Sequence, residues 1–158
     1  MTAPSLKDLI STQMRDALKG GDKVRLGALR MLSAAVTNRE KEVRHELSDD
    51  EVREVAAKEV KKRGESIEAF EGAGRQELAD REREERDAIA PYAPERLGDA
   101  ELDALIEDAL ASTGATSPRE LGRVMGVVMG RAKGRVDGNE VQARVRARLD
   151  AGEAGSLS

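Results

Sequence analysis

Residues 117–149 read SPRELGRVMGVVMGRAKGRVDGNEVQARVRARL, and the fold is decided by how this stretch is read. Ser117 is a good helix N-cap, and Pro118 follows at the first helical position, where a missing N–H costs nothing. Leu121, Val124, Met125, Val128, Met129 and Ala132 recur at steps of three and four, which places them on one helix face. Gly122, Gly126 and Gly130 fall on roughly the opposite face, with Arg119 and Arg123 beside them. An interior glycine costs a helix about 0.5–1 kcal/mol relative to alanine. Three on one stripe are therefore expected to serve a close approach, by a second helix or by a nucleic-acid backbone. Lys133-Gly134-Arg135 breaks the helix. Asp137 caps the next one, and Glu140 is expected to complete a capping box. Val141, Val145 and Leu149 mark that helix's apolar side, with Arg144, Arg146 and Arg148 elsewhere on it.

The same logic extends upstream. Ser5 caps a first helix with Leu6, Leu9, Ile10, Met14, Ala17 and Leu18 as its apolar face, and Gly20-Gly21 ends it. Asp22 opens a second helix carrying Leu26, Leu29, Leu32, Val36 and Val43. Ser48 and Glu51 form a capping box for a third, through Val52, Val55, Ala56, Val60, Ile67 and Phe70, which Gly72 and Gly74 break. Residues 75–89 are poor in apolar side chains. Glu77–Arg81 and Glu82–Arg86 are spaced to support a helix, and the run EREER reads as its solvated face. Pro91 and Pro94 stop that helix. Leu97 and Leu102 can staple the start of the next, with Leu105, Ile106, Ala109 and Leu110 along it and Gly114 at its end. The expectation is an all-α chain: an N-terminal four-helix domain over 1–90, a Pro-rich hinge over 91–96, a C-terminal three-helix domain over 97–150, and a frayed tail over 151–158.

Composition agrees with helices. Charged residues make up 37% and hydrophobic residues 39%, so any core must be thin and carried on amphipathic faces. Phe70 and Tyr92 are the only aromatics, which leaves little for single-strand stacking platforms. The absence of cysteine excludes disulfides and thiolate metal sites and suits the cytoplasm. No apolar run approaches the length of a membrane span. The net charge of −4 is uneven: residues 117–149 hold eight basic and three acidic side chains, net +5, and the rest hold 19 and 28, net −9. A basic end on an acidic chain is a possible footprint for nucleic acid, or simply a solubilising surface.

Chemistry-bearing motifs are missing. His45 is the only histidine and lies among charged residues near the end of the second helix, so the usual nitrogen and sulfur zinc sites cannot be built. There is no phosphate-binding P-loop, no dinucleotide glycine fingerprint and no nucleophile elbow. Acidic pairs such as Asp49-Asp50 and Glu84-Glu85 are adjacent in sequence, and adjacent helix residues face apart. No catalytic residue, metal or cofactor is expected.

The residues Leu121-Gly122-Arg123-Val124-Met125-Gly126, Met129, Lys133-Gly134-Arg135, Asp137-Gly138 and Val141 resemble the tail domain of the B subunit (GatB) of glutamine-dependent aspartyl/glutamyl-tRNA amidotransferase. With Arg30-Met31-Leu32, Asp50-Glu51-Val52, Phe70-Glu71, Ala73-Gly74-Arg75 and Pro94, nearly the whole chain is similar to stand-alone members of the GatB/YqeY family. Gly138 stands where the amidotransferase tail commonly has proline, which favours the stand-alone branch. The resemblance implies a tRNA-associated accessory role without catalysis of its own. Arg119, Gly122, Arg123, Gly126, Gly130, Arg131, Lys133 and Arg135 would form the RNA-binding surface. The alternatives are an adaptor for translation enzymes such as aminoacyl-tRNA synthetases, or a component working with amidotransferase subunits. A label of carbon–nitrogen ligase with glutamine as amido-N-donor would come from the family name, since no catalytic residue carries over.

Overall fold

A computed structural model describes residues 3–156, and every regular element among them is helical. The elements are α1 (Leu6–Gly20), α2 (Lys23–Val43), α3 (Asp49–Gly72), α4 (Gln76–Ile89), α5 (Asp99–Thr113), α6 (Leu121–Ala132) and α7 (Gly138–Ser156). Single 3-10 turns at Ala90–Tyr92 and Pro118–Glu120 follow α4 and lead into α6. The chain divides into two compact units, Met1–Pro94 and Glu95–Ser158.

In the first unit the caps fall where the sequence signals them. Ser5 Oγ accepts from Asp8 N, and Asp22 Oδ1 accepts from Arg25 N. Ser48 and Glu51 make the reciprocal capping box at the start of α3. Gly21 takes the left-handed conformation that closes α1, with φ 72°. The core gathers Ile10, Ala28, Leu29, Leu32, Val36, Leu47, Val52, Ala56, Ile89 and Tyr92. Leu9 and Leu18, expected on the buried face of α1, are 37% and 61% exposed instead. A thin unit covers only the central strip of that face, held by Ile10 and Ala17.

The long helix α3 departs further from the apolar pattern. Glu59 and Arg63 are buried on it, and Arg63 is only 4% exposed. Arg63 Nη1 donates to Glu59 Oε2 at 2.9 Å, and its Nη2 reaches Met31 Sδ on α2 at 3.5 Å. Its Nε lies 3.6 Å from Glu85 Oε2 on α4 and has no hydrogen-bond acceptor. The EREER run is thus not wholly solvated. Glu82, Arg83, Glu85 and Arg86 are half-buried, because α4 packs on α3 with few apolar side chains to offer. The expected Glu77–Arg81 and Glu82–Arg86 pairs give way to Arg81–Glu85, Arg83–Asp80, Arg83–Glu71 and Arg86–Asp87.

Tyr92 is buried in the first unit's core, and Leu97 is already packed in the second, so the connection is shorter than the expected 91–96. The second unit's core is Leu102, Ile106 and Ala109 of α5, Val124 and Val128 of α6, and Val141, Val145 and Leu149 of α7. These are the residues the helical spacing marks. The expected frayed tail is corrected in part: α7 runs on to Ser156, and residues 157 and 158 lie outside the described residues.

Candidate functional site

The start of α6 is fixed by residues before it. Ser117 Oγ accepts from Arg119 N at 3.3 Å. Glu120 Oε2 accepts from the backbone N–H groups of Thr116 at 2.7 Å and Ser117 at 3.2 Å. Those two donors, with Arg123 nearby, hold the Glu120 carboxyl below the usual glutamate range. This S-x-x-E box carries the same signal as Ser48–Glu51, so the sequence contained it. At the far end Lys133 takes a left-handed conformation, φ 48°, and stops the helix.

Val124, Val128 and Ala132 turn inward and are at most 1% exposed, so the opposite side of α6 faces outward. Gly122, Gly126 and Gly130 are exposed there. A Cβ at any of the three would meet no neighbouring atom within 4 Å. Within the second unit no other helix fills the groove, so the glycines are not a packing seam of that unit.

The cations around the stripe have different duties. Arg119, Arg131 and Lys133 are exposed and make no ion pair among the described residues. Arg123 donates to the carbonyl of Thr113, at the end of α5, and lies 3.3 Å from Glu120 Oε1. Arg135 is half-buried in the turn after α6. Its Nε donates to Glu95 O at 2.7 Å, its carbonyl accepts from Leu97 N at 2.9 Å, and Glu101 is 3.8 Å away. The structure therefore gathers Arg119, Gly122, Arg123, Gly126, Gly130 and Lys133 on one exposed face. Arg131 sits about 100° around the helix from Gly130. Arg135 fastens the incoming chain instead.

Half of the eight basic side chains of residues 117–149 are paired inside the unit. Arg144 bonds Asp99 at 2.6 Å, Asp103 at 3.0 Å and Glu140 at 3.0 Å, and Arg148 pairs with Glu107. Asp137 Oδ1 caps α7 through Asn139 N at 2.8 Å, while the Glu140 carboxylate engages Arg144 and Arg96. Residues 95–158 hold nine basic and eleven acidic side chains, so the second unit is net −2. The acidic face of α5 supplies the counter-charges, which a count along 117–149 alone does not see.

Among the described residues no three His, Asp or Glu side chains gather to hold a metal ion, and no helix is long and apolar enough to cross a membrane. His45 lies just past α2, with Nδ1 2.9 Å from Glu46 O and Nε2 3.7 Å from Glu51. Its neighbours are surface charges.

A family model described as Yqey-like protein matches residues 7–149. A relative from Pyrenophora tritici-repentis (strain Pt-1C-BFP), altered inheritance of mitochondria protein 41, mitochondrial, is 29% identical over 103 residues. The aligned region covers 64% of this chain and 57% of that protein, so the chain spans little more than half the length of the relative. With a match that runs from the first helix to the last, the chain belongs to the YqeY-like protein family.

Proposed function

We propose that the protein is a tRNA-associated accessory factor that binds RNA through the exposed glycine face of α6 and performs no catalysis alone. One observation carries it: three glycines open to approach, on a face whose cations Arg119 and Lys133 have no carboxylate partner. An RNA backbone can lie against such a face, with Arg119, Arg123 and Lys133 meeting phosphates. Contacts of that kind position the molecule without reading its sequence. The likeness of residues 121–141 to the amidotransferase tail supports tRNA as the RNA. Such a role belongs in a compartment with a tRNA pool, which the cytoplasm provides.

The test is tRNA binding by the full chain across a salt series. Alanine at Arg119, Arg123 and Lys133 together should lower the steepness of log affinity against log salt by about 2, at about 0.7–0.9 per phosphate lost. Unchanged affinity and slope would refute the assignment. Purified chain should release no ammonia from glutamine and hydrolyse no ATP; turnover that tracks the protein through chromatography would overturn the non-catalytic role.

A second reading is favoured by the net −2 charge of the unit and by half-buried Val127 and Met129 beside the stripe. A helix of a translation enzyme, such as an aminoacyl-tRNA synthetase or a subunit of a glutamine-dependent amidotransferase, would pack there. Gly126→Leu would block either partner, whereas loss of the cations would spare protein capture and abolish RNA capture.

A further inference from the structure

The first unit carries a charged surface that the α6 site does not use. Along the outward face of α2 stand Lys23, Arg30 and Lys41, all exposed, with no hydrogen bond or ion pair from their side chains among the described residues. The positions between them on that face are Gly27, Met31, Ala34 and Asn38, and none is acidic. The row spans about 27 Å at about 1.5 Å per residue. Carboxylates at its margins are already engaged. Asp22 caps the helix, Glu40 accepts from Lys7 at 2.8 Å and from Leu47 N, and Glu42 holds Arg39 at 2.9 Å. The first unit holds 18 basic and 20 acidic residues, and these three cations share one exposed helix face.

We propose that the outward face of α2 is a second docking surface for the phosphodiester backbone of tRNA. The position of the surface follows from the unpaired cations on α2; the identity of the RNA rests on the function proposed above. Charge complementarity selects the occupant. Three uncompensated cations in a row, with no carboxylate among them, favour a polyanion and disfavour an acidic side-chain cluster matched to one point. Long side chains reach phosphates from a helix without needing the backbone to approach.

The experiment uses the full chain and purified tRNA, with affinity measured from 50 to 200 mM salt. The variant K23A/R30A/K41A alters only exposed positions and should keep the wild-type circular dichroism. It is expected to lower the log–log slope by about 2–3. The control R39A/R53A/R81A removes the same charge from arginines already paired with Glu42, Asp50 and Glu85, and should leave the slope within one unit. If the α2 variant and the control behave alike, the proposal is overturned, whatever the α6 variants do. If the α2 variant lowers the slope and the α6 variants do not, the α2 surface stands and the α6 assignment falls. If wild type binds no tRNA at 50 mM salt, both fall. Equal competition by polyglutamate at matched charge would overturn the RNA-specific occupant.

Discussion

Replacing Gly126 by alanine should make the second unit more stable, and the size of the gain follows from the structure. Gly126 lies inside α6, is exposed, and a Cβ there would meet nothing within 4 Å. The substitution adds no clash and fills no cavity, so only the backbone entropy of glycine remains, about 0.5–1 kcal/mol. With m of about 1 kcal/mol/M for a unit this small, the urea midpoint should rise by about 0.5–1 M at unchanged m. Helix content at 222 nm suits the assay, because the chain has no tryptophan and its only tyrosine, Tyr92, is in the first unit. Gly126→Leu should stabilise similarly, since leucine is also a strong helix former. Both variants should nevertheless bind the partner less well, and the bulkier leucine the least. Stability and binding would then move in opposite directions through one position. A loss of 1 kcal/mol or more on Gly126→Ala would show that the stripe is covered in solution, and the solvent-facing assignment would be wrong.

Arg63→Ala leaves buried Glu59 with only Lys62 and half-buried Glu85 with only Arg81, and should cost up to about 3 kcal/mol, read by urea unfolding; a loss under 1 kcal/mol would show that the cluster opens to water. Ile106→Ala, at a position 1% exposed, should cost about 2–5 kcal/mol and unfold the second unit, which amide exchange in α5–α7 would detect. Glu120 is held below its ordinary pKa, first by the Thr116 and Ser117 N–H groups, so its stabilising effect is present above about pH 4.5 and fades as pH falls through the lowered folded value. Acid titration of wild type against Glu120→Gln should therefore show the two converging below that pH, and parallel curves would refute the cap. Limited proteolysis should cut first at 94–96, between buried Tyr92 and packed Leu97; early cuts within α2 or α3 would refute that placement.

Helix positions and the second core were legible because period and punctuation coincide. The apolar positions of α5, α6 and α7 recur at three and four residues, and Gly114 and Gly134 stand where the chain must turn. The end of α2 was harder to read, since Arg44 takes a left-handed conformation that glycine usually marks, with φ 60°. Glu59 and Arg63 were invisible for a different reason. A charge on an otherwise apolar face looks like an edge of that face, and the groups that enclose Arg63 beyond Glu59, namely Met31 and Glu85, come from neighbouring helices. The same limit affected the candidate site. Arg135 and Arg144 look like free cations in sequence, but their partners Glu95, Asp99 and Asp103 lie 40 or more residues away. The exposure of the glycines depends likewise on which helices leave α6 uncovered, and no local pattern encodes that.

The clasp at Arg135 has a consequence for synthesis. The first unit's last core residue, Tyr92, leaves the ribosome early, and that unit can close once it has emerged. The segment beginning at Glu95 is held by Arg135, 40 residues later in the chain, through its side-chain Nε and its main-chain carbonyl. Until Arg135 appears, neither of these two bonds can form. A nascent chain stalled between these points would therefore present a folded first unit followed by a segment whose two Arg135 bonds are not yet made.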